Sequence, residues 1–327
     1  MPPAIHVHNL TKVYRTYQKE PGFWGAFKGL ANRTYKETAA AKDVTFSVQE
    51  GELVGFLGPN GAGKTTTLKM LSGLLYPTRG EATVLGFTPW KRQNEFKRQF
   101  ALVLGSKNQL WWDLPAAESL ELNRVIYGLE PAAAQKTIDE LTELLDVRDK
   151  LDVMVRELSL GERMKMELIA ALLHRPKVLF LDEPTIGLDV VSQKKVRGFL
   201  REYTARHRIT TLLTSHYMQD IEELCDRVII IDHGQVFFDG ALQDIIDRLA
   251  THKIVTLSRR KGLPETDYTP YGEVLEKSTE EVKLKIPRSQ IVAASRDLIA
   301  ALAVDDFTVE DVPIEDIIRE VFLTRRG

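Results

Sequence analysis

An α/β fold with a small antiparallel sheet beside it is the class this sequence predicts, and three observations predict it. The apolar stretch Leu53-Val54-Gly55-Phe56-Leu57 runs into a glycine-rich loop at 58–65 and then into a helix-like segment, Thr66-Thr67-Leu68-Lys69-Met70-Leu71. Val178-Leu179-Phe180-Leu181 is uninterrupted and apolar, the pattern of a strand covered on both faces. Further strand-like runs, Thr210-Thr211-Leu212-Leu213-Thr214 and Val228-Ile229-Ile230-Ile231, are separated by helical segments, the alternation of an α/β sheet.

Taken in order, residues 5–14 alternate as a half-buried strand through Ile5, Val7 and Leu10. Residues 43–57 alternate again at Val44, Phe46 and Val48, break at Glu50-Gly51-Glu52, and continue apolar into the glycine loop. Another short strand is expected at 80–86, and residues 116–175 are helix-rich. Asp232-His233-Gly234 between two apolar runs is a hairpin signal. A helix near 241–250 leads to a segment of different character. Strands are expected around 253–257, 273–275, 282–286 and 307–309, with a helix at 289–302. A last helix starts at Pro313, with Ile314, Ile317, Ile318 and Val321 on one face. The expected division is therefore 1–251 and a small α+β domain at 252–327.

Composition narrows the function classes. The 327 residues carry 44 basic and 46 acidic side chains with no dominant Lys/Arg block, so no nucleic-acid partner is expected. The single cysteine, Cys225, excludes an internal disulfide and reads as a buried helix thiol. His6 and His8 are expected on one face of an edge strand rather than on a metal. No run approaches the roughly 18 apolar residues that cross a bilayer, and the N-terminus lacks the pattern of a secretory signal. The expectation is a protein that stays where it is made.

Residues 58–65 read Gly-Pro-Asn-Gly-Ala-Gly-Lys-Thr, a P-loop of the form G-x-x-x-x-G-K-[ST]. Its place between strand and helix is the context the motif requires. Gly58, Gly61 and Gly63 let backbone N–H groups close on phosphate oxygens, with Pro59, Asn60, Ala62 and Thr66 completing the loop and its exit. The helix that follows adds its positive dipole end. Lys64 is expected on the β- and γ-phosphates and Thr65 on Mg²⁺.

Several elements stand behind the P-loop in a fixed order. Val178 to Leu181 followed by Asp182-Glu183 resembles a Walker B strand. Leu158-Ser159-Leu160-Gly161-Glu162 resembles the signature loop L-S-G-G-Q, Gly187-Leu188-Asp189 a D-loop, and Thr214-Ser215-His216 a switch-histidine loop. Over residues 4–250 the chain thus resembles the ATP-binding cassette (ABC) ATPases. That resemblance implies a P-loop NTPase fold with an antiparallel β-subdomain, a RecA-like α/β core and a helical subdomain at about 107–170. It further implies ATP and Mg²⁺ as ligands, with Asp182 orienting the metal, Glu183 as general base and His216 on the γ-phosphate. Tyr14 matches the aromatic that stacks on adenine, with core packing as the competing reading. Ser159 and Gly161 would serve the nucleotide of a second ATPase subunit, identical or closely related, and Asp189 would link the two sites.

Three departures from the family pattern stand out. Leu160 replaces a glycine and alters local backbone freedom, and Glu162 replaces a glutamine and adds negative charge near a polyphosphate. At the Q-loop, Ser106 occupies the usual glutamine position as a weaker metal ligand, unless Gln109 takes over.

The insertion at 15–40 carries Phe23, Trp24, Phe27, Leu30 and Tyr35 among Lys28, Arg33 and Lys36. At helical pitch, Phe23, Phe27 and Leu30 share a face, suited either to a membrane surface and a permease or to packing on the chain's own domain. Trp111-Trp112 suits a groove for a permease helix, or the core. Cassette, insertion and C-terminal domain together resemble ATPase subunits of bacterial sodium, drug or antibiotic exporters. These act with separately encoded integral membrane permease subunits on the cytoplasmic face of the membrane. An importer's ATPase and a soluble, non-transport ABC ATPase are the alternatives.

Overall fold

The computed structural model describes residues 2–17, 35–105, 109–249, 251–258, 267–302, 305–313 and 315–316. It divides into two compact units, Met1–Gly240 and Ala241–Gly327. Among the described residues no helix is long and apolar enough to cross a membrane.

The first unit is built on a six-stranded sheet. In chain order its strands are β3 (Leu53–Leu57), β5 (Phe100–Leu104), β6 (Val178–Asp182), β7 (Thr210–Thr214), β8 (Arg227–Asp232) and β9 (Gln235–Ala241), arranged β5-β6-β7-β3-β8-β9. Strands β5, β6, β7, β3 and β8 pair in parallel. Every residue of β6 and β7 is buried, as the unbroken apolar runs require. Strand β9 folds back from β8 through His233 (φ 47°) and Gly234 (φ 79°). Two positive φ values make the tight turn whose twist matches a hairpin.

A three-stranded antiparallel sheet lies beside it: β1 (Ile5–Tyr17) pairs with β2 (Tyr35–Val48) on one side and β4 (Arg79–Val84) on the other. One core serves both sheets. Ile5, Val7 and Phe46 from the small sheet pack with Phe56, Phe180 and Ile229 of the large one and with Leu68 of α1 (Lys64–Leu71).

Strand β1 is the middle strand, which corrects the edge placement expected for His6 and His8; both rings are exposed on one of its faces. The ends of the 15–40 insertion are also corrected. Arg15, Thr16 and Tyr17 pair with Glu37, Lys36 and Tyr35 as the continuation of the β1–β2 ladder, and Arg15 Nε donates to Glu37 Oε1 at 2.7 Å. The cross-strand charge pair and aromatic pair favour a ladder over a helix. Phe23, Trp24, Phe27, Lys28, Leu30 and Arg33 lie outside the described residues.

The helical stretch consists of α2 (Ala116–Tyr127), α3 (Pro131–Leu145) and α4 (Leu160–Leu172). Helix α2 stops at Gly128 in the left-handed region, and α3 starts with Pro131 behind Glu130, whose carboxylate accepts from Ala133 N–H at 2.8 Å. These are ordinary start and stop devices. After β6 come α5 (Val190–His207) and α6 (Met218–Leu224). Cys225 is buried just past α6 in extended backbone rather than within a helix, and burial pushes its thiol pKa up.

The second unit opens with α7 (Leu242–Leu249). It contains a four-stranded antiparallel sheet, β11-β12-β10-β13, from β10 (His252–Ser258), β11 (Glu273–Lys277), β12 (Glu281–Pro287) and β13 (Asp306–Asp311). Helix α8 (Ile291–Ala301) lays Ala294 and Leu298 on Val255, Leu257, Val282, Leu284 and Ile286. These strand residues alternate along β10 and β12, so one face of the sheet holds the core. Ile314, Ile317, Ile318 and Val321, placed on a last helix, lie outside the described residues.

Candidate nucleotide-binding and catalytic site

Parallel pairing sets the site. Asp182 at the end of β6 is level with Thr214 at the end of β7, and β7 neighbours β3, which runs into the P-loop. Three strand ends therefore deliver the phosphate loop, the acidic pair and the switch histidine to one carboxyl edge, where ligands of open α/β sheets bind.

The P-loop is braced from outside. An added Cβ on Gly63 (φ +104°) would lie 2.1 Å from the Ala40 carbonyl oxygen of β2, and one on Gly58 would lie 2.2 Å from the Ile231 carbonyl oxygen of β8. Gly234 N–H donates to Ala62 O at 3.0 Å, and Lys42 N–H donates to Gly234 O at 2.7 Å. Gly63 caps α1 without a side-chain hydrogen bond, which leaves the first amides of the helix facing the loop mouth. Asn60 and Gly61 form its exposed tip, with Pro59 between Gly58 and Asn60. Lys64 Nζ donates to Gly58 O at 2.6 Å and Pro59 O at 3.2 Å. Burial lowers the Lys64 pKa, opposed by the carboxylates of Glu183 and Asp182. Thr66 follows in the first turn of α1, half-buried.

Thr65 Oγ1 donates to Asp182 Oδ2 at 2.8 Å, and Thr214 Oγ1 donates to Asp182 Oδ1 at 2.8 Å. Glu183 sits at φ 58°, an uncommon conformation for a side-chain-bearing residue. Its amide donates to Thr214 O at 3.0 Å and Thr214 Oγ1 at 3.1 Å. His216 Nε2 lies 2.7 Å from Glu183 Oε1, within hydrogen-bond distance. The structure thus brings Lys64, Thr65, Asp182, Glu183 and His216 together. Thr214 was seen in sequence only as part of the switch loop, not as the hydroxyl between both carboxylate residues.

Ser159, Gly161 and Asp189 form a second group. Ser159 Oγ accepts from Glu162 N–H at 3.2 Å while Glu162 Oε2 accepts from Ser159 N–H at 2.9 Å, a complete capping box on α4. Lys150 Nζ approaches Glu162 Oε1 at 3.3 Å. The Ser159 amide, with the Ser159 hydroxyl and Lys150, holds the Glu162 pKa below its ordinary value, while burial opposes them. The charge read as an addition near polyphosphate is therefore taken up by its own helix start and a lysine. Leu160 begins α4, and its Cδ2 lies 2.9 Å from where Gly187 would carry a Cβ. Asp189 caps α5, accepting from Ser192 N–H at 2.9 Å and Ser192 Oγ at 2.6 Å. A Cβ on Gly161 would lie 2.5 Å from Ser192 Oγ and 3.0 Å from Ser192 Cβ, so the start of α5 comes close to it.

Tyr14 is 42% exposed on β1 opposite Thr38, two residues from the Ala40 carbonyl that flanks Gly63; core packing does not account for it. Trp111 and Trp112 are 56% and 45% exposed, and the Arg163 guanidinium stands 5.2 Å from the Trp112 ring. Ser106 lies outside the described residues. Gln109 has its amide nitrogen on Leu102 O at 2.6 Å, turned to β5. Its backbone N–H and that of Leu110 donate to Glu167 Oε1 at 2.8 and 3.2 Å. Buried Glu167, whose Oε2 has no partner, carries no signal in the sequence beyond a charged residue in an apolar helix face.

Comparison with known proteins finds relatives for both parts of the chain. The family described as "ABC transporter" matches residues 41–186, and "EvrA-like ABC transporter, C-terminal domain" matches residues 251–310. The ABC transporter ATP-binding protein NatA of Bacillus subtilis is 37% identical over 65% of this chain and 86% of its own length. Nod factor export ATP-binding protein I of Burkholderia orbicola is 37% identical over 68% of this chain and 72% of its own. A solved ATP-binding subunit of an ABC transporter superposes with a TM-score of 0.62 at 28% identity, covering 75% of this chain and 92% of that one.

Proposed function

Because the chain belongs to the ABC transporter family, as one of its ATP-binding subunits, we propose that it hydrolyses ATP to power export through separately encoded integral membrane permease subunits. The observation that carries the reading is the meeting of Thr65 with Asp182 and of Glu183 with His216 at one sheet edge, beside Lys64 and the open amides of α1. P-loop amides and Lys64 would hold the β- and γ-phosphates, with Tyr14 against the adenine. The donor set of Thr65 Oγ1 and Asp182, all oxygen, fits Mg²⁺, which when bound would neutralise phosphate charge. Glu183 would polarise the attacking water and His216 would hold the γ-phosphate, each keeping the other in place through their 2.7 Å contact.

Two such subunits would face head to tail, each presenting Ser159, Gly161 and the open start of α4 to the other's γ-phosphate. ATP then holds the pair closed, and loss of the γ-phosphate releases it, which turns hydrolysis into motion of the permease. Export is supported by the Nod factor relative's name. The exposed tryptophans at 111 and 112 suit a permease helix, and attachment to the permease would place the subunit on the cytoplasmic membrane face.

Glu183→Gln tests the reading. Turnover is expected to fall by about a hundredfold or more, with ATP binding kept and a dimer trapped in sedimentation runs with ATP. Hydrolysis at the wild-type rate would remove Glu183 as the base, and a monomer at every ATP concentration would remove the shared site. Membrane fractionation with and without the neighbouring genes checks the permease, since the chain should pellet only alongside its membrane partner.

A further inference from the structure

Next to the Glu183–His216 contact in the chain is a buried polar cluster centred on Asp220 and Arg197, neither of which belongs to any of the motifs. Asp220 on α6 is 0% exposed and Arg197 on α5 is 2% exposed, and Arg197 Nη1 donates to Asp220 Oδ1 at 3.1 Å. Arg197 Nε also donates to Glu223 Oε2 at 3.0 Å. The other Asp220 oxygen, Oδ2, accepts two hydroxyls: Ser215 Oγ at 2.5 Å and Thr185 Oγ1. Ser215 Oγ in turn accepts from Tyr217 N–H at 3.0 Å. Thr185 is two residues after Glu183, and Ser215 immediately precedes His216.

We propose that Asp220 is a positioning residue that sets the Glu183–His216 spacing by clamping Thr185 and Ser215 together. The inference rests on Glu183 and His216 being the hydrolytic pair. The sheet ladder fixes these two loops only as far as Asp182 and Thr214. Beyond the strand ends, Thr214 Oγ1 ties them on one side, through Asp182 and the Glu183 amide. Asp220 ties them on the other. One carboxylate oxygen receiving both hydroxyls fixes where both protons point, and Arg197 holds that carboxylate from α5. An ion pair this deep is poor at adding stability, because desolvation offsets its attraction. What it supplies is a single geometry at the reacting edge, where a displacement of about 1 Å can cost roughly a hundredfold in rate.

The test removes each hydroxyl while leaving the Arg197–Asp220 pair whole. In the full chain, Thr185→Val and Ser215→Ala are expected to lower kcat about ten- to hundredfold. KM for ATP and nucleotide affinity should stay at wild-type values, the pattern of an interaction that matters only in the transition state. Thr185→Ser, which keeps the hydroxyl, should recover most of the rate. Melting temperatures of all variants show whether folding is involved. The proposal is overturned if both hydroxyl-free variants turn over normally, if Thr185→Ser is as slow as Thr185→Val, or if KM moves while kcat does not. Wild type and Glu183→Gln run alongside: an inactive wild type or an active Glu183→Gln would defeat the hydrolytic reading instead.

Discussion

Glu167 is the residue where charge and burial are most at odds. Burial raises its pKa, and the donated N–H groups of Gln109 and Leu110 and the charge of Arg163 offset this only in part. The folded chain therefore holds this proton more tightly than the unfolded chain does. Its contribution to stability is fully present below the unfolded value and is lost as pH rises through the folded one. Glu167→Gln keeps an acceptor for both amides and removes the titration. Thermal melts across a pH series should show this variant gaining on wild type as pH climbs above the ordinary carboxylate range; parallel curves would exclude the effect. Residues such as Lys64, Asp182, Glu183 and His216 were legible in sequence because their chemistry is tied to short motifs. Glu167, Asp220 and Arg197 were not. A charged residue in a helix reads as surface until the segments that supply its partners, distant in sequence, are brought against it.

Among the elements, the P-loop shows how differently two glycines of one motif are constrained. Gly61 (φ +81°) has nothing within 4 Å of an added Cβ, whereas Gly63 would drive one into the Ala40 carbonyl. Gly61→Ala is expected to cost about 1 kcal/mol of left-handed strain. Gly63→Ala adds an overpacking cost and should lose ~2–4 kcal/mol in total. Urea unfolding of the two variants measures the difference, and equal losses would deny the close approach of β2. The strands and helices were mostly visible beforehand, since the apolar runs at β6 and β7 are local signals. The extension of β1 and β2 through Tyr17 and Tyr35 was not. Its register depends on pairing across the intervening residues 18–34, which no local period reveals.

For the molecule as a whole, the two units have separate cores. That of Ala241–Gly327 draws on β10, β12 and α8, with Tyr268 and Leu302 buried among them. Strand β10 is paired along both edges, so its backbone groups are satisfied within the unit. The segment from Ala241 onward, made alone, is expected to fold and to melt cooperatively by circular dichroism; a flat, featureless melt would show that its core is insufficient by itself. The clasp on the phosphate loop acts across the first unit in a similar way. Ala40, Ile231 and Gly234, all remote from the loop in sequence, already hold it in shape. An arriving anion meets amides that need no further ordering, so little of their attraction is lost to conformational entropy and most of it remains as affinity.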